Sequence, residues 1–138
     1  MILIAGGAND VIRFTSANRL ARSVELVLSR SVQQASQVIV VPAPNVGNAP
    51  IFPPPLSWLF SHRARMLHRL VRSSAAKVGA AYVNLYRRRA DDPFASDPQR
   101  LIALDHLHPS DEGYAVWFDE LESQAPLSRF IGMVGRTA

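Results

Sequence analysis

The sequence ILIAGGAND, at residues 2–10, indicates the fold of this chain. Its apolar run is short and ends at Gly6 and Gly7, which is typical of a buried strand followed by a sharp turn. Two similar runs follow, at Val38–Val41 and Ala81–Leu85, and helical patterns lie between them. Continuous apolar strands separated by helices predict a parallel sheet that is covered by helices on both faces.

Apolar residues recur at helical spacing in three segments. The spacing predicts a helix over about Ala17–Ala35, with Ser16 as a candidate cap, and a second helix over about Ser57–Val78. A third helix is predicted to start at Ser110, because the acidic side chains that follow are favourable in a first turn.

The sequence also predicts two long loops. Pro42–Pro55 is too rich in proline for regular structure and follows the end of a strand, where ligand sites form in open α/β sheets. Arg87–Pro98 is polar and of mixed charge. We expect both loops to shape a pocket.

Length and composition limit the possible classes of protein. The chain has 138 residues, of which 48% are hydrophobic, and this suits one domain over residues 1–138 with a sizeable core. It contains no cysteine, so it has neither disulfides nor thiolate metal sites. No signal peptide or membrane-length apolar run is visible, which leaves the compartment unknown, with the cytoplasm as the default.

The formal net charge is +4, and nearly all of the positive charge is arginine. A basic balance can indicate nucleic-acid binding, but these arginines are scattered and do not alternate with aromatic residues. Solvated helix faces explain them better, so no nucleic-acid partner is predicted.

Asp105 and His108 have the spacing of a general base and the acid that orients it. A carboxylate on one ring nitrogen fixes the tautomer of a histidine and stabilises its protonated form. Pro109 stiffens the loop, and the helix that follows anchors it. Taken alone, this spacing also fits a loop histidine that is bonded to a nearby carboxylate without any chemistry.

A second polar segment, Gly7-Ala8-Asn9-Asp10, follows the first strand directly. Gly7 lets the backbone turn and approach a substrate, and the Asn9 amide can donate to a developing oxyanion. Asp10 can hold the turn by bonding local amides. An ordinary turn between strand and helix is the alternative.

Together, the two segments resemble the SGNH (GDSL-like) hydrolase family of esterases and lipases. That family carries Gly-x-Asn-Asp after a central strand, matched by 7–10, and Asp-x-x-His-Pro before its last helix, matched by 105–109. The resemblance implies a three-layer α/β/α, flavodoxin-like fold with a parallel sheet. It also implies that His108 is the general base, Asp105 its orienting acid and Asn9 an oxyanion donor, with Gly7 and Asp10 on the substrate side.

The chain departs from the family at the nucleophile. The family's serine lies in a Gly-Asp-Ser block ahead of Gly-x-Asn-Asp, and this sequence contains no Gly-Asp-Ser. Ser16, Ser57 and Ser110 are the nearest alternative serines. Ser16 and Ser110 are better placed as helix caps, and a substitute nucleophile is not expected. We therefore expect an amino-terminally incomplete domain, with the absent strand beside Ile2–Ala5.

The resemblance implies serine hydrolysis of a small-molecule ester without a cofactor. We expect this chain alone to be inactive. The alternative is a non-catalytic α/β protein that uses the same cleft to bind a ligand or partner. Zinc could in principle be bound by Asp105, His106 and His108. His62 and His68 could also bind it, but they do not lie on one face of the predicted helix. No metal site is therefore predicted. An open strand edge also invites self-association.

Overall fold

The computed structural model describes residues 1–125 and residue 127. Within them, a parallel sheet has the order β1-β2-β3, and its strands are β1 (Ile2–Gly6), β2 (Val38–Pro42) and β3 (Ala81–Tyr82). The helices are α1 (Ala8–Ile12), α2 (Ala17–Gln34), α3 (Leu56–Val78), α4 (Pro93–Ser96), α5 (Pro98–Leu101) and α6 (Asp111–Gln124). None of these helices combines the length and the apolar character needed to cross a bilayer.

The side chains of β2 alternate between the two faces of the sheet. Val38 and Val40 pack with buried residues of α2 and α3, while Ile39 and Val41 pack in a second cluster with Trp117 of α6. The sheet therefore lies between helices on both sides. This arrangement confirms the predicted α/β/α architecture with a parallel sheet.

Strand register brings the carboxyl ends of β1 and β2 together. Ile2 pairs with Val38, and Gly6 pairs with Pro42. Parallel strands end at the same edge of a sheet, so the segments that follow them begin side by side. The turn at Gly7 and the proline-rich loop therefore meet at this edge.

The three predicted helices are confirmed, with small shifts at their ends. α2 and α3 span nearly the predicted ranges. The Ser16 hydroxyl accepts from Arg19 N at 3.4 Å at the start of α2. The Ser110 hydroxyl accepts from Gly113 N at 3.1 Å, so Ser110 is the cap of α6 rather than its first residue.

β3 is shorter than the predicted strand Ala81–Leu85. Regular pairing covers only Ala81 and Tyr82, although Val83 N still donates to Val40 O at 3.0 Å. The Gln124 side chain of α6 binds the backbone N–H and C=O of Asn84, at 2.8 Å and 3.2 Å. These bonds satisfy the backbone groups that a longer strand would have paired.

The predicted loop Arg87–Pro98 is also more structured than expected. It contains a 3-10 turn at Arg89–Asp91 and the short helix α4, and α5 begins at its end. The Asp92 carboxylate accepts from Phe94 N at 3.0 Å and caps α4. Asp-Pro at the start of each short helix was the signal that the sequence offered, because aspartate favours the cap and proline the first position.

β1 lies at the edge of the sheet. Among the described residues it pairs only with β2, and Leu3 is 44% exposed. The neighbouring face of α2 is also incompletely covered, since Val27 is 46% exposed. The structure therefore has an open apolar strand with a partly uncovered helix beside it.

His68 is a buried ionisable side chain beneath the end of β2. Its Nε2 donates to Ala43 O at 2.8 Å, so the neutral ring accepts from the Tyr82 hydroxyl at Nδ1, at 2.6 Å. Burial lowers the pKa of His68 below its usual 6.5, against the opposing effect of the bond to Ala43. The folded protein therefore favours the neutral ring.

We expect the free energy of unfolding to decrease as pH falls below about 6.5 because of His68. The pKa of His68 is lower in the folded than in the unfolded chain, so the unfolded chain binds more protons in the window between the two values. The stabilisation is complete above the unfolded pKa and declines as pH falls toward the folded pKa. Urea unfolding from about pH 8 to about pH 5 measures this slope.

The matched variants are His68→Gln, which cannot titrate, and His62→Gln, which removes an exposed histidine of the same helix. The slope should flatten in the first variant and persist in the second. Equal slopes in His68→Gln and the parent chain would contradict the prediction.

Candidate functional site

The loop between α5 and α6 is organised by the Asp105 side chain. One carboxylate oxygen, Oδ1, accepts from Leu107 N at 3.0 Å and from His108 N at 2.9 Å. The other, Oδ2, lies 2.6 Å from His108 Nδ1. The carboxylate therefore fixes both the backbone and the ring of His108.

These bonds also set the proton positions. The hydrogen bond from His108, followed by those from the His108 and Leu107 amides, lowers the pKa of Asp105 well below its usual 3.8. Asp105 is thus ionised at neutral pH and can only accept hydrogen bonds. The neutral His108 ring must then carry its proton on Nδ1, which leaves Nε2 as a free base.

Backbone contacts hold the same loop against the helices. Ala103 N donates to His108 O at 2.8 Å, and Ser110 N donates to Leu101 O at 3.0 Å. A Cβ added at Gly113 would lie 2.2 Å from Leu101 O. Only glycine at position 113 therefore lets α6 approach the end of α5 this closely. The position of His108 therefore depends on the end of α5 and the start of α6.

Asn9 lies in the first turn of α1. This helix begins directly after Gly7, which has a positive φ of 104°. Arg63 of α3 holds α1 in place, because its guanidinium donates to Val11 O at 2.9 Å and to Thr15 O at 2.8 Å. The Asn9 amide is exposed and makes no side-chain hydrogen bond within the described residues. Its N–H groups are therefore available to a ligand.

Asn9 and His108 line the same cavity, which has a volume of about 400 Å³. This volume suits a small organic ligand. The cavity extends from Gly6 and Pro42, at the ends of β1 and β2, to Trp117 of α6. Its remaining lining is mostly apolar. A base, an amide donor and an apolar surface therefore face one space.

Gly7 and Asp10, predicted on the substrate side, do not line this cavity. They line a smaller one between β1, α2 and α3. Gly7 packs on Leu67, since a Cβ at Gly7 would lie 2.6 Å from Leu67 Cδ2, and Asp10 O accepts from Arg63 at 3.1 Å. Gly6 and Ala8 are the residues of this turn that reach the cavity with Asn9.

None of the described residues that line the cavity is a serine. Ser16 and Ser110 act as helix caps, as predicted, and the Ser110 hydroxyl also donates to Arg100 O at 2.6 Å. Ser57 is buried at the start of α3, away from this cavity. The base and its acid thus have no nucleophilic hydroxyl beside them in the described part of the chain.

The wall of the cavity contains a buried polar network that the sequence analysis missed. Asn45 and Asn48 both donate to Arg87 O, at 3.1 Å and 3.3 Å, and Asn48 also donates to Asp92. All three side chains are buried. Two asparagines around Gly47 in a proline-rich loop were a signal of such a turn.

The structure gathers no group of three or more His, Cys, Asp or Glu that could hold a metal ion within residues 1–125 and 127. Of the four histidines, His68 is engaged by Tyr82 and Ala43, and His108 by Asp105.

Comparisons with known proteins agree with this geometry. The family model described as GDSL-like Lipase/Acylhydrolase family matches residues 1–116. No match was found among curated proteins. A solved structure, that of LAE5, an alpha/beta hydrolase enzyme from the metagenome of Lake Arreo, Spain, superposes with a TM-score of 0.65 at 18% identity. The match covers 88% of this chain and 58% of LAE5, so this chain spans little more than half the length of LAE5. At this identity, the likeness supports the fold alone.

We expect Asp105→Ala to change the tautomer of His108. In the parent chain, the carboxylate accepts from Nδ1, so the neutral ring should carry its proton there. Without that acceptor, the ring should shift toward the Nε2-protonated form that free imidazole side chains prefer. Nitrogen-15 NMR of the imidazole ring distinguishes the two forms.

Asp111→Ala is the matched control, since it removes an exposed carboxylate six residues away and spares the loop. An Nε2-protonated His108 in the parent chain would contradict the hydrogen-bond assignment.

Proposed function

The chain belongs to the GDSL-like lipase/acylhydrolase family, and from this premise we propose that its cavity is the site of a serine hydrolase that cleaves carboxylic esters. The observation that carries the proposal is the 2.6 Å bond between Asp105 and His108 Nδ1 beside a cavity that Asn9 also lines. The bond fixes the tautomer of His108 and leaves Nε2 free, and Asn9 adds an amide donor at the same apolar cavity.

In the proposed reaction, a serine hydroxyl attacks the ester carbonyl and His108 Nε2 takes its proton. The tetrahedral intermediate then collapses, and His108 gives that proton to the departing alcohol oxygen. Water attacks the acyl-enzyme with His108 again as the base, and this releases the acid. Asp105 keeps the ring oriented and stabilises its protonated form in both halves.

Asn9 is proposed to donate an amide N–H to the oxyanion of each tetrahedral intermediate. Its position in the first turn of α1 and its lack of a side-chain partner among the described residues support this role. Removing one donor of this kind costs about 10²–10³ in kcat. Gly6 and Ala8 are proposed to replace Gly7 and Asp10 as backbone neighbours of the substrate.

The serine is proposed to come from polypeptide outside these 138 residues, placed along the free edge of β1. The support is local: β1 has a neighbour on one side only, and the cavity reaches Ala5 and Gly6 at its end. A parallel strand added there would bring its carboxyl end to the same edge as Asn9. The isolated chain is then inactive.

The absence of a cavity serine among the described residues also favours a second candidate function. In that case the site binds a small ligand without cleaving it. The Asp105–His108 pair would then act only as a hydrogen-bonding group.

We expect the 138-residue chain to hydrolyse p-nitrophenyl acetate no faster than its His108→Ala variant, because no serine lines the cavity among the described residues. Hydrolysis by the pure chain that His108→Ala abolishes would contradict this. In a polypeptide extended to include a Gly-Asp-Ser segment of the same reading frame, His108→Ala should lower kcat by about 10²–10⁴.

His106→Ala is the matched control in the extended polypeptide, since His106 is an exposed neighbour outside the cavity. Its kcat should stay close to that of the parent. A reading frame without such a segment, or an extended protein insensitive to His108→Ala, would favour the binding function.

We also expect the isolated chain to self-associate through the open edge of β1. Unpaired backbone groups beside an apolar strand favour pairing with a second copy, and a lysine on such a strand opposes it. Sedimentation velocity should show oligomers of the parent chain, and these should be absent in Leu3→Lys. The control variant Leu26→Lys, which changes an exposed position of α2, should still form them. A monomer at all concentrations would contradict the expectation.

A further inference from the structure

A second groove lies on the other side of the segment Asn45–Ala49. It has a volume of about 530 Å³ and is bounded by the start of α3 and by the segment Tyr86–Arg89. It shares only Asn45, Asn48 and Ala49 with the cavity that holds His108. Its size is that of a small-ligand site, and the proposed hydrolysis makes no use of it.

The groove carries uncompensated positive charge. Arg65, Arg88 and Arg89 line it, and no described acidic residue does. The Arg65 guanidinium bonds only the Tyr86 hydroxyl, at 3.3 Å and 3.2 Å, and Arg89 forms no ion pair with the described residues. Arg88 is paired, with Asp91 at 3.1 Å, but both groups are exposed and such a pair is weak. Arg65 and Arg89 therefore have no acidic partner among the described residues, so their positive charge is available to an anion.

The amino end of α3 adds to this charge. α3 has 23 residues, with neither a side-chain cap nor an acidic residue in its first turn. Ser57 and Trp58 of that turn line the groove. Ser57 is 6% exposed, and its hydroxyl has no hydrogen-bond partner among the described residues. Ser57 N and Leu59 N already donate to Pro53 O and Pro55 O, both at 3.2 Å, so the helix contributes through its dipole, which favours anions as the arginines do.

The groove also offers a flat apolar surface. Trp58 is 70% exposed and makes no ring contact with the described residues. The Tyr86 ring, by contrast, is already covered by Arg65, at 5.6 Å from its centroid. The Trp58 ring is therefore the surface on which a planar group can stack.

We propose that this groove binds a small phosphate ester, with its phosphate on Arg65 and Arg89 and its planar group on Trp58. Each guanidinium group can donate two parallel hydrogen bonds to a phosphate. Two guanidinium groups beside a helix amino end suit a doubly charged phosphate better than a singly charged carboxylate. The concave shape favours a small molecule over a polymer. The proposal is independent of ester hydrolysis.

The test is calorimetric titration of the 138-residue chain with phenyl phosphate at low salt. We expect saturable binding at a one-to-one ratio, weakened about tenfold by Arg65→Gln and by Arg89→Gln, since each removes charged hydrogen bonds. Arg30→Gln is the matched control. It makes the same change in net charge at an exposed position of α2 and should bind like the parent.

Two further variants locate the site. Trp58→Ala should bind phenyl phosphate no better than inorganic phosphate, whereas the parent prefers the aryl ester. His108→Ala should bind phenyl phosphate like the parent, which separates this groove from the proposed hydrolytic site. Circular dichroism checks that each variant is folded.

Equal weakening in Arg30→Gln and in the groove variants would overturn the proposal, because binding would then follow net charge alone. So would a parent that does not bind phenyl phosphate. Attachment to phosphatidylglycerol vesicles without binding of phenyl phosphate would also overturn it and would assign the arginines to a lipid surface.

Discussion

Burial of β2 on both faces is the constraint from which the other layers follow. All five of its residues are buried, and each fully buried valine contributes about 1.5–3 kcal/mol. Val38 and Val40 require a cover on one face, which α2 and α3 provide, while Ile39 and Val41 require one on the other, which α6 provides. A strand of this kind also needs neighbours at its edges, and β1 and β3 supply them in parallel register. The edge at which these strands end is then the place where the functional loops collect.

The candidate site combines one locally determined part with one that depends on the whole sheet. Asp105 makes its three hydrogen bonds within four residues, so the His108 loop owes its shape to its own sequence. Asn9 reaches the same cavity only because Gly6 lies beside Pro42 and because Arg63, some fifty residues away, fixes α1 through backbone carbonyls. Loss of the β1–β2 register would therefore displace Asn9 and leave the Asp105–His108 bond intact.

The features predicted from sequence were those with a local signature. Apolar runs and helical periodicity gave the strands, the long helices and the parallel sheet, and Asp-x-x-His gave the hydrogen-bonded pair. The missed features depend on partners distant in the chain. β3 ends early because Gln124 of α6 binds the backbone of Asn84, and Gly7 turns away from the cavity because Leu67 lies beneath it. Neither contact has a sequence pattern, since each exists only once the layers have packed.

The Asn45–Ala49 segment separates two cavities of opposite character. Its polar side chains are buried and hydrogen-bonded to Arg87 O and Asp92, so the wall is held by groups that lose those bonds if it moves. On one side, a mostly apolar space contains His108 and Asn9; on the other, arginines line a groove. In the proposed hydrolysis, an oxyanion near Asn9 would be stabilised by amide donors and destabilised by a second negative charge close by. Under the two proposals, this hydrogen-bonded wall would keep a bound phosphate on the arginine side, apart from the space in which the oxyanion would develop.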